Sequence, residues 1–277
     1  MREKLWFVLH RSALLRRLYS VRVLSGPMRR ISYALMPAKR RARVRVQTGP
    51  GKGLLLEVNP RWEHRYWEGT YESRVQELLS RILRPGMTFF DIGANFGYYS
   101  ILATRLGAQA VAFEPDPANL QEFLQHVELN GFDNKIRLER MAVFSRTGEI
   151  SLDPARGQTP HGNAHVRASG DLATGGIKVP CTRLDDFVIS NPVPTLVKID
   201  VEGAESEVLK GAECLFQSSS PFLICEIHDA TNEQFITPWL ERKGYEIQWL
   251  ESVRTFPRQL FACPAQEGKA DLQGQSE

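Results

Sequence analysis

The sequence predicts an α/β fold, a mostly parallel sheet with helices on both faces, and three observations predict it. From Met87 onward, short apolar runs alternate with stretches of helical periodicity. The first run, Met87 to Phe90, ends at Asp91 and passes through Gly93-Ala94-Asn95-Phe96-Gly97 into a helix, the strand-turn-helix form of a nucleotide-binding turn. The chain is also large enough for a substantial core, with 277 residues of which 42% are hydrophobic and 24% charged.

Taken in order, the elements begin with a basic arm. From Met1 to Arg45 there are 13 Lys or Arg and one acid, Glu3, which leaves 22 bases and 31 acids for the remainder. Leu5, Leu9, Leu14, Leu18 and Val21 recur at helical spacing with Arg11, Arg16, Arg17 and Arg22 between them, so the arm reads as an amphipathic helix. Such a helix either packs on the acidic body, lies peripherally on an anionic membrane surface, or meets an acidic substrate. Nucleic acid is not expected as a partner, because the rest of the chain is acidic and carries no nucleic-acid motif.

Val44 to Val58 reads as a hairpin around Gly49-Pro50-Gly51-Lys52-Gly53, and Glu72 to Leu83 as a helix stopped by Arg84-Pro85-Gly86. Strands are expected at 87–91, 110–114, 136–139, 195–200, 221–226, 245–250 and 258–263, and helices at 97–106, 117–130, 203–217 and 232–243. Asp153 to Gly176, rich in Gly, Ala, His and Thr without periodicity, reads as a long functional or mobile loop. The expected organisation is a basic arm and hairpin over 1–66, a catalytic domain over 67–264 and a polar, disordered tail over 265–277.

No stretch approaches the roughly 20 uninterrupted apolar residues of a membrane span. Arg11, Arg16 and Arg17 interrupt what a signal peptide needs as its apolar region. Cys181, Cys214, Cys225 and Cys263 lie far apart without a C-x-x-C pair, which suggests neither zinc nor a disulfide frame. A cytoplasmic location, peripheral to the inner face of the membrane if the arm binds lipid, is the expectation.

Glycine spacing narrows the ligand. A dinucleotide fingerprint needs G-x-G-x-x-G, and the second glycine is missing here, where Asn95 stands. Gly93 and Gly97 are expected to clear room for a ligand, and the amides of Asn95 to Tyr98 to face it from the helix N-terminus. Asp91, directly before the loop, suits a cationic amino-acid moiety better than a diphosphate. Glu114, 17 residues beyond Gly97 at the tip of the next strand, suits the two hydroxyls of a ribose. Together these point to S-adenosylmethionine; a merely structural tight turn is the plain alternative, and an NAD-dependent oxidoreductase the rival at the level of fold.

A second cluster ends the strand Thr195 to Asp200, where Lys198-Ile199-Asp200-Val201-Glu202-Gly203-Ala204-Glu205 sets three acids before a helix. Acids also suit a helix N-terminus on dipole grounds. Glu226-Ile227-His228 ends the next strand and places another acid and an imidazole on the same rim.

With Gly69-Thr70-Tyr71-Glu72, Asp91 to Gly97, Glu114-Pro115, Ala142-Val143, Thr182-Arg183-Leu184-Asp185, Ile199 to Glu205 and Glu226-Ile227-His228 in this order, the chain resembles the FkbM methyltransferases from about Trp67 to about Leu250. The resemblance implies a Rossmann-like class I methyltransferase fold with a seven-stranded sheet whose last strand is antiparallel. It also implies S-adenosyl-L-methionine as methyl donor and a hydroxyl acceptor on a sugar, glycolipid, polysaccharide or polyketide. Carried onto this sequence, it makes Asp91, Gly93, Ala94, Asn95, Gly97 and Tyr98 the loop around the methionine end, Glu114 and Pro115 the ribose site, and Ala142 and Val143 the adenine wall. Glu72 would reach the cofactor's amino group, or be an exposed helix acid; Thr182 to Asp185 would fix a turn.

An alcohol acceptor must lose a proton as it attacks, so Asp200, Glu202 and His228 are the catalytic candidates as bases. Alternatively Asp200 and Glu202 bind Mg²⁺, which acidifies the hydroxyl. Methylation of a glycan, methylation of a small secondary metabolite, and a non-catalytic module on the same scaffold are the three functions these residues allow. Intact Asp91, Gly93, Gly97 and Glu114 count against the third.

Overall fold

The computed structural model describes residues 41–153, 165–167 and 176–265. The chain forms two compact units, Met1–Tyr71 and Glu72–Glu277. The amphipathic helix read in the arm, most of the long loop and the tail beyond Ala265 lie outside the described residues.

In the first unit β1 (Ala42–Arg45) and β2 (Leu55–Val58) form the expected antiparallel hairpin, with Ala42 opposite Val58. Ala42, Val44, Leu56 and Val58 alternate onto its buried face. The short helix α1 (His64–Glu68) follows, and its Trp67 indole donates to the Pro60 carbonyl at 2.9 Å.

The second unit opens with α2 (Ser73–Ile82), then β3 (Thr88–Ile92), α3 (Tyr98–Arg105), β4 (Gln109–Phe113), α4 (Pro117–Asn130) and β5 (Ile136–Glu139). Next come β6 (Ala142–Val143), β7 (Gly148–Asp153), β8 (His165–Arg167), β9 (Ile177–Thr182) and α5 (Leu184–Phe187). The chain closes with β10 (Leu196–Ile199), α6 (Glu205–Lys210), α7 (Glu213–Ser218), β11 (Phe222–Ile227), α8 (Ala230–Arg242), β12 (Tyr245–Trp249) and β13 (Arg258–Pro264). Seven of the strands form one sheet in the order β12-β13-β11-β10-β3-β4-β5. β13, the last strand, runs antiparallel to both neighbours, while β11-β10-β3-β4-β5 are parallel. This is the mixed, Rossmann-like sheet expected of the class I fold.

Local chemistry places the helices. Asp116 caps α4 by accepting from the Ala118 amide at 2.8 Å, Pro117 fills the first helical position, and Gly131 ends the helix at φ +67°. The single helix expected over 203–217 is instead α6 and α7, because Gly211 presses on the Phe144 backbone, where a Cβ would lie 2.2 Å from the carbonyl oxygen. The buried Asp185 carboxylate then accepts from the Cys214 and Leu215 amides at 3.2 and 2.9 Å, capping α7. Thr182 to Asp185 is thus a structural turn, as expected. A second sheet, in the order β6-β9-β7-β8, is absent from the expected elements, and β8 lies inside the stretch read as a loop. Only Ile150 and Leu152 of β7, and Val179 and Cys181 of β9, alternate into the core, too short a pattern to stand out.

The chain leaves β3 for β4 and β5 on one side, then returns to β10 and β11 on the other, so the switch point lies between β3 and β10. There Lys198 pairs in register with Asp91, and the Asp200 amide donates to the Ile92 carbonyl at 3.0 Å. Gly93 sits at φ +79°, and a Cβ on it would lie 1.8 Å from the Asp200 carbonyl oxygen. At Gly97 a Cβ would lie 2.7 Å from the Phe123 ring. Both glycines therefore make room for neighbouring protein atoms, and Gly93 also lines the cleft over the switch point. Gly93→Ala should cost about 2–4 kcal/mol from the positive φ and the clash together. Gly131→Ala, with no atom within 4 Å of its Cβ, should cost about 1 kcal/mol in the same urea titration. Equal losses would contradict this packing account.

Candidate active site

An open cleft lies over the switch point at the carboxyl ends of β3, β4 and β10, its empty space about 610 Å³ counted out to the surrounding solvent. Gly93, Asn95, Glu114, Pro115, Ala142, Val143, Asp200 and Glu202, all expected in the site, line it. Asn119 and Leu152, which sequence reasoning missed, line it as well. Leu152 comes from the second sheet, and Asn119 from the first turn of α4.

At one end stands Glu114, 4% exposed. Its carboxylate accepts from the Asn95 amide at 2.8 Å, the Asp116 amide at 2.8 Å and the Asn119 amide group at 3.3 Å. Burial outweighs these donors and pushes its pKa up to about 7. The Gly93 and Ala94 amides both donate to the Phe113 carbonyl, and the Gly97 amide to that of Ala94. With Asn95 bound to Glu114, the Asn95 and Gly97 amides are occupied within the protein, contrary to the expectation that they face the ligand. The reason is that the loop continues the β3-β4 pairing before it enters α3.

Asp91 lies below this loop, buried, with Oδ2 accepting from the Ser100 hydroxyl at 2.6 Å. Burial raises its pKa. Its Oδ1 and the Oδ1 of Asn95 are buried with no hydrogen-bond partner among the described residues. Asn95 lines the cleft and Asp91 lies outside its lining, one strand position before Ile92; unsatisfied acceptors here are what a ligand carrying an ammonium and further donors would complete. The residues present therefore fit S-adenosylmethionine. Ala94, Gly97 and Tyr98 are outside the cleft lining and shape the loop instead. Glu72 is also outside the lining; its carboxylate accepts from the Tyr99 hydroxyl at 2.6 Å.

The opposite end is an acidic rim built around two cations. Lys198, third residue of β10, directs Nζ to Asp200 Oδ2 at 2.9 Å. Burial works against its charge, but Asp200, Asp91, Glu72 and Glu226 outweigh burial and raise its pKa. Asp200 in turn is held below the usual carboxylate range: burial opposes this, and the Lys198 charge, a hydrogen bond from Glu226 and His228 overcome it. Burial and the Asp200 charge push Glu226 up to about 9, so it stands as a neutral acid beside an ionised Asp200. His228 places Nε2 3.0 Å from Glu202 and Nδ1 2.8 Å from Glu205. Despite burial, these two carboxylates push its pKa up to about 11.

That arrangement alters the roles expected of the rim. With both ring nitrogens on carboxylates, His228 is a cation and has no lone pair to offer as a base, and it lies outside the cleft lining. Asp200, Glu226 and His228 each offer a donor atom within 4.8 Å of the others. Yet one Asp200 oxygen is on the Lys198 ammonium and both imidazole nitrogens are engaged, so the set does not suit Mg²⁺. Lys198 was visible in the sequence as a charge amid Leu196, Val197 and Ile199, two residues before Asp200 and so on the same face of the strand.

Residues 91–247 match the family model described as the methyltransferase FkbM domain. The hexuronic acid methyltransferase AglP of Haloferax volcanii is 30% identical, the match covering 65% of this chain and 71% of that protein. The 2-O-methyltransferase NoeI of Sinorhizobium fredii is 29% identical over 58% of this chain and 74% of its own. A crystal structure of methyltransferase FkbM from Methylobacillus flagellatus, 20% identical, superimposes with a TM-score of 0.48 over 67% of this chain, which spans 50% of that protein. The class is that of the S-adenosylmethionine-dependent methyltransferases. Within it, the chain belongs to the FkbM methyltransferase family.

Glu114 generates a stability prediction. Below about pH 4.5 its carboxyl is protonated both folded and unfolded; between there and about pH 7 only the folded state keeps the proton. Its contribution to stability is therefore full below pH 4.5, falls as pH rises to about 7, and is flat beyond. Glu114→Gln should remove this slope, so that the stability of the variant relative to wild type rises by about 2–3 kcal/mol between pH 4.5 and 7.5. Urea titrations at several pH values read it; parallel curves would contradict the burial account.

Proposed function

We propose that this protein transfers a methyl group from S-adenosylmethionine to a hydroxyl group of a sugar, with Asp200 as proton acceptor. The observation that carries the reading is an ionised, lysine-paired carboxylate on one wall of a cleft whose other wall presents the buried Glu114. The sugar is suggested by the two relatives, one named for hexuronic acid and the other for a 2-O position.

In this reading Glu114 holds the ribose hydroxyls, with Pro115 beside it, and Ala142 and Val143 flank the adenine. Asp91 and Asn95 accept from the amino-acid end through their unsatisfied oxygens. When bound, the cofactor supplies an activated methyl group that is displaced in line, so positioning contributes most. Asp200 takes the hydroxyl proton as the acceptor oxygen attacks. Glu226, neutral, donates to Asp200 and keeps the pair at a single negative charge. Glu202 is anchored by His228, which fixes the rim. The basic composition of residues 1–45 supports attraction to an anionic acceptor or to a membrane that carries it. Among the described residues no helix is long and apolar enough to cross a membrane.

The test is transfer from methyl-labelled S-adenosylmethionine to oligosaccharides ending in glucuronic acid or in a neutral hexose, with the product located by NMR. An O-methyl ether is expected. Asp200→Asn should lower turnover by about 10²–10⁴-fold while cofactor affinity stays within a few fold. Unchanged turnover would remove Asp200 from the mechanism, and no sugar product from an enzyme that methylates small phenols would favour a secondary-metabolite acceptor instead.

A further inference from the structure

The side chain of Lys198 is only 4% exposed and lies in the middle of the sheet. Its three companions in β10 are apolar and fully buried, and an apolar residue at its position would complete the strand without the cost of removing a charge from water. Carboxyl groups from separate elements instead converge on its ammonium. Asp91 is its register partner on β3, Asp200 follows it in its own strand's exit, Glu226 comes from β11, and Glu72 precedes α2. The Tyr99 ring of α3 covers the ammonium at 5.0 Å, and its hydroxyl holds Glu72.

We infer that Lys198 is a positioning residue for methyl transfer, its ammonium being the fixed cation that pairs with Asp200 on the acceptor rim in place of a divalent metal ion. The inference rests on the reading of Asp200 as proton acceptor and deepens it. Two carboxylates and an imidazole within reach of one another resemble a metal site in outline. What neutralises them, however, is built into the chain. The Lys198 ammonium takes Asp200 Oδ2, and the His228 cation takes Glu202 and Glu205, with its Nε2 3.9 Å from Asp200 Oδ1. An ammonium donates along fixed hydrogen bonds and takes only Oδ2 of Asp200, so that carboxylate keeps lone pairs for the acceptor hydroxyl beside the bond from Glu226.

Removing the charge should raise the pKa of Asp200, which is faced by Lys198 from its own strand, Asp91 from β3, Glu226 and His228 from β11 and its exit, and Glu202 from the following turn. Lys198→Met keeps the length of the side chain. It should lower kcat on glucuronic acid-terminated oligosaccharide by about tenfold or more at pH 7, displace the acid limb of the pH profile upward by about one unit or more, and leave S-adenosylhomocysteine affinity within about threefold. Lys198→Arg, which retains the charge, should keep the acid limb in place. Lys198→Gln serves in place of the Met variant if that protein does not fold. On wild type, Mn²⁺ alone followed by electron paramagnetic resonance should show no bound ion at millimolar concentration, and turnover should be the same in EDTA.

An unmoved acid limb in both uncharged variants would overturn the inference, as would Mn²⁺ bound by wild type and lost in Asp200→Asn. The two levels separate cleanly. If Asp200→Asn leaves turnover intact, the proton-acceptor reading falls and the inference with it. If Asp200→Asn abolishes turnover while Lys198→Met keeps the wild-type profile, only the role of Lys198 falls.

Discussion

The contact of the Gly93 loop with the end of β10 is the constraint on which the rest of the second unit depends. Backbone meets backbone there: the Asp200 carbonyl fills the space a side chain at position 93 would need. Because the two strands are parallel and diverge in opposite directions through the sheet, their exits open a cleft above the contact. Glu114, carried by β4, and Asp200, carried by β10, stand on its walls as a consequence of register alone. A shift of one residue would turn Lys198 and Asp200 together to the other face of the sheet.

Charge within this frame is arranged by burial. Isolated carboxyl groups in such a place would take up protons, and Glu114 and Glu226 show that tendency. Asp200 does not, because an ammonium and an imidazolium have been brought in with it. The strand that leads into Asp200, the proposed proton acceptor, also carries its counter-ion two residues earlier, an arrangement that follows from the alternation of a β-strand. His228, expected as a base, is instead a brace between Glu202 and Glu205, and it holds the turn after β10 to the exit of β11.

Much of this was legible in the sequence, for reasons that differ by element. The central strands are nearly continuous apolar runs, and α4 carries both of its caps in plain sight as Asp116-Pro117 and Gly131. The loop spacing from Asp91 to Gly97 and the acid at Glu114 located the cleft, since strand ends in a parallel sheet fall together whatever the side chains between them. The second sheet was not legible: β7 and β9 carry two buried apolar residues apiece, and their partners are set by long-range pairing. Nor was the split between α6 and α7, which follows from the approach of Phe144 to Gly211. Among the site residues, what the sequence could not convey was protonation. His228 and Glu226 are an imidazole and an acid on any reading, and only their neighbours make the one a cation and the other neutral.

The most direct test of the account is isothermal titration of S-adenosylhomocysteine into wild type and Glu114→Ala. It predicts micromolar binding by wild type and a strong loss in the variant, because the carboxylate proposed for the ribose is gone while Asp200 and its lysine are untouched. Equal affinity for both proteins would contradict the placement of the cofactor in this cleft, and no binding by a folded wild-type protein would contradict the enzyme reading itself.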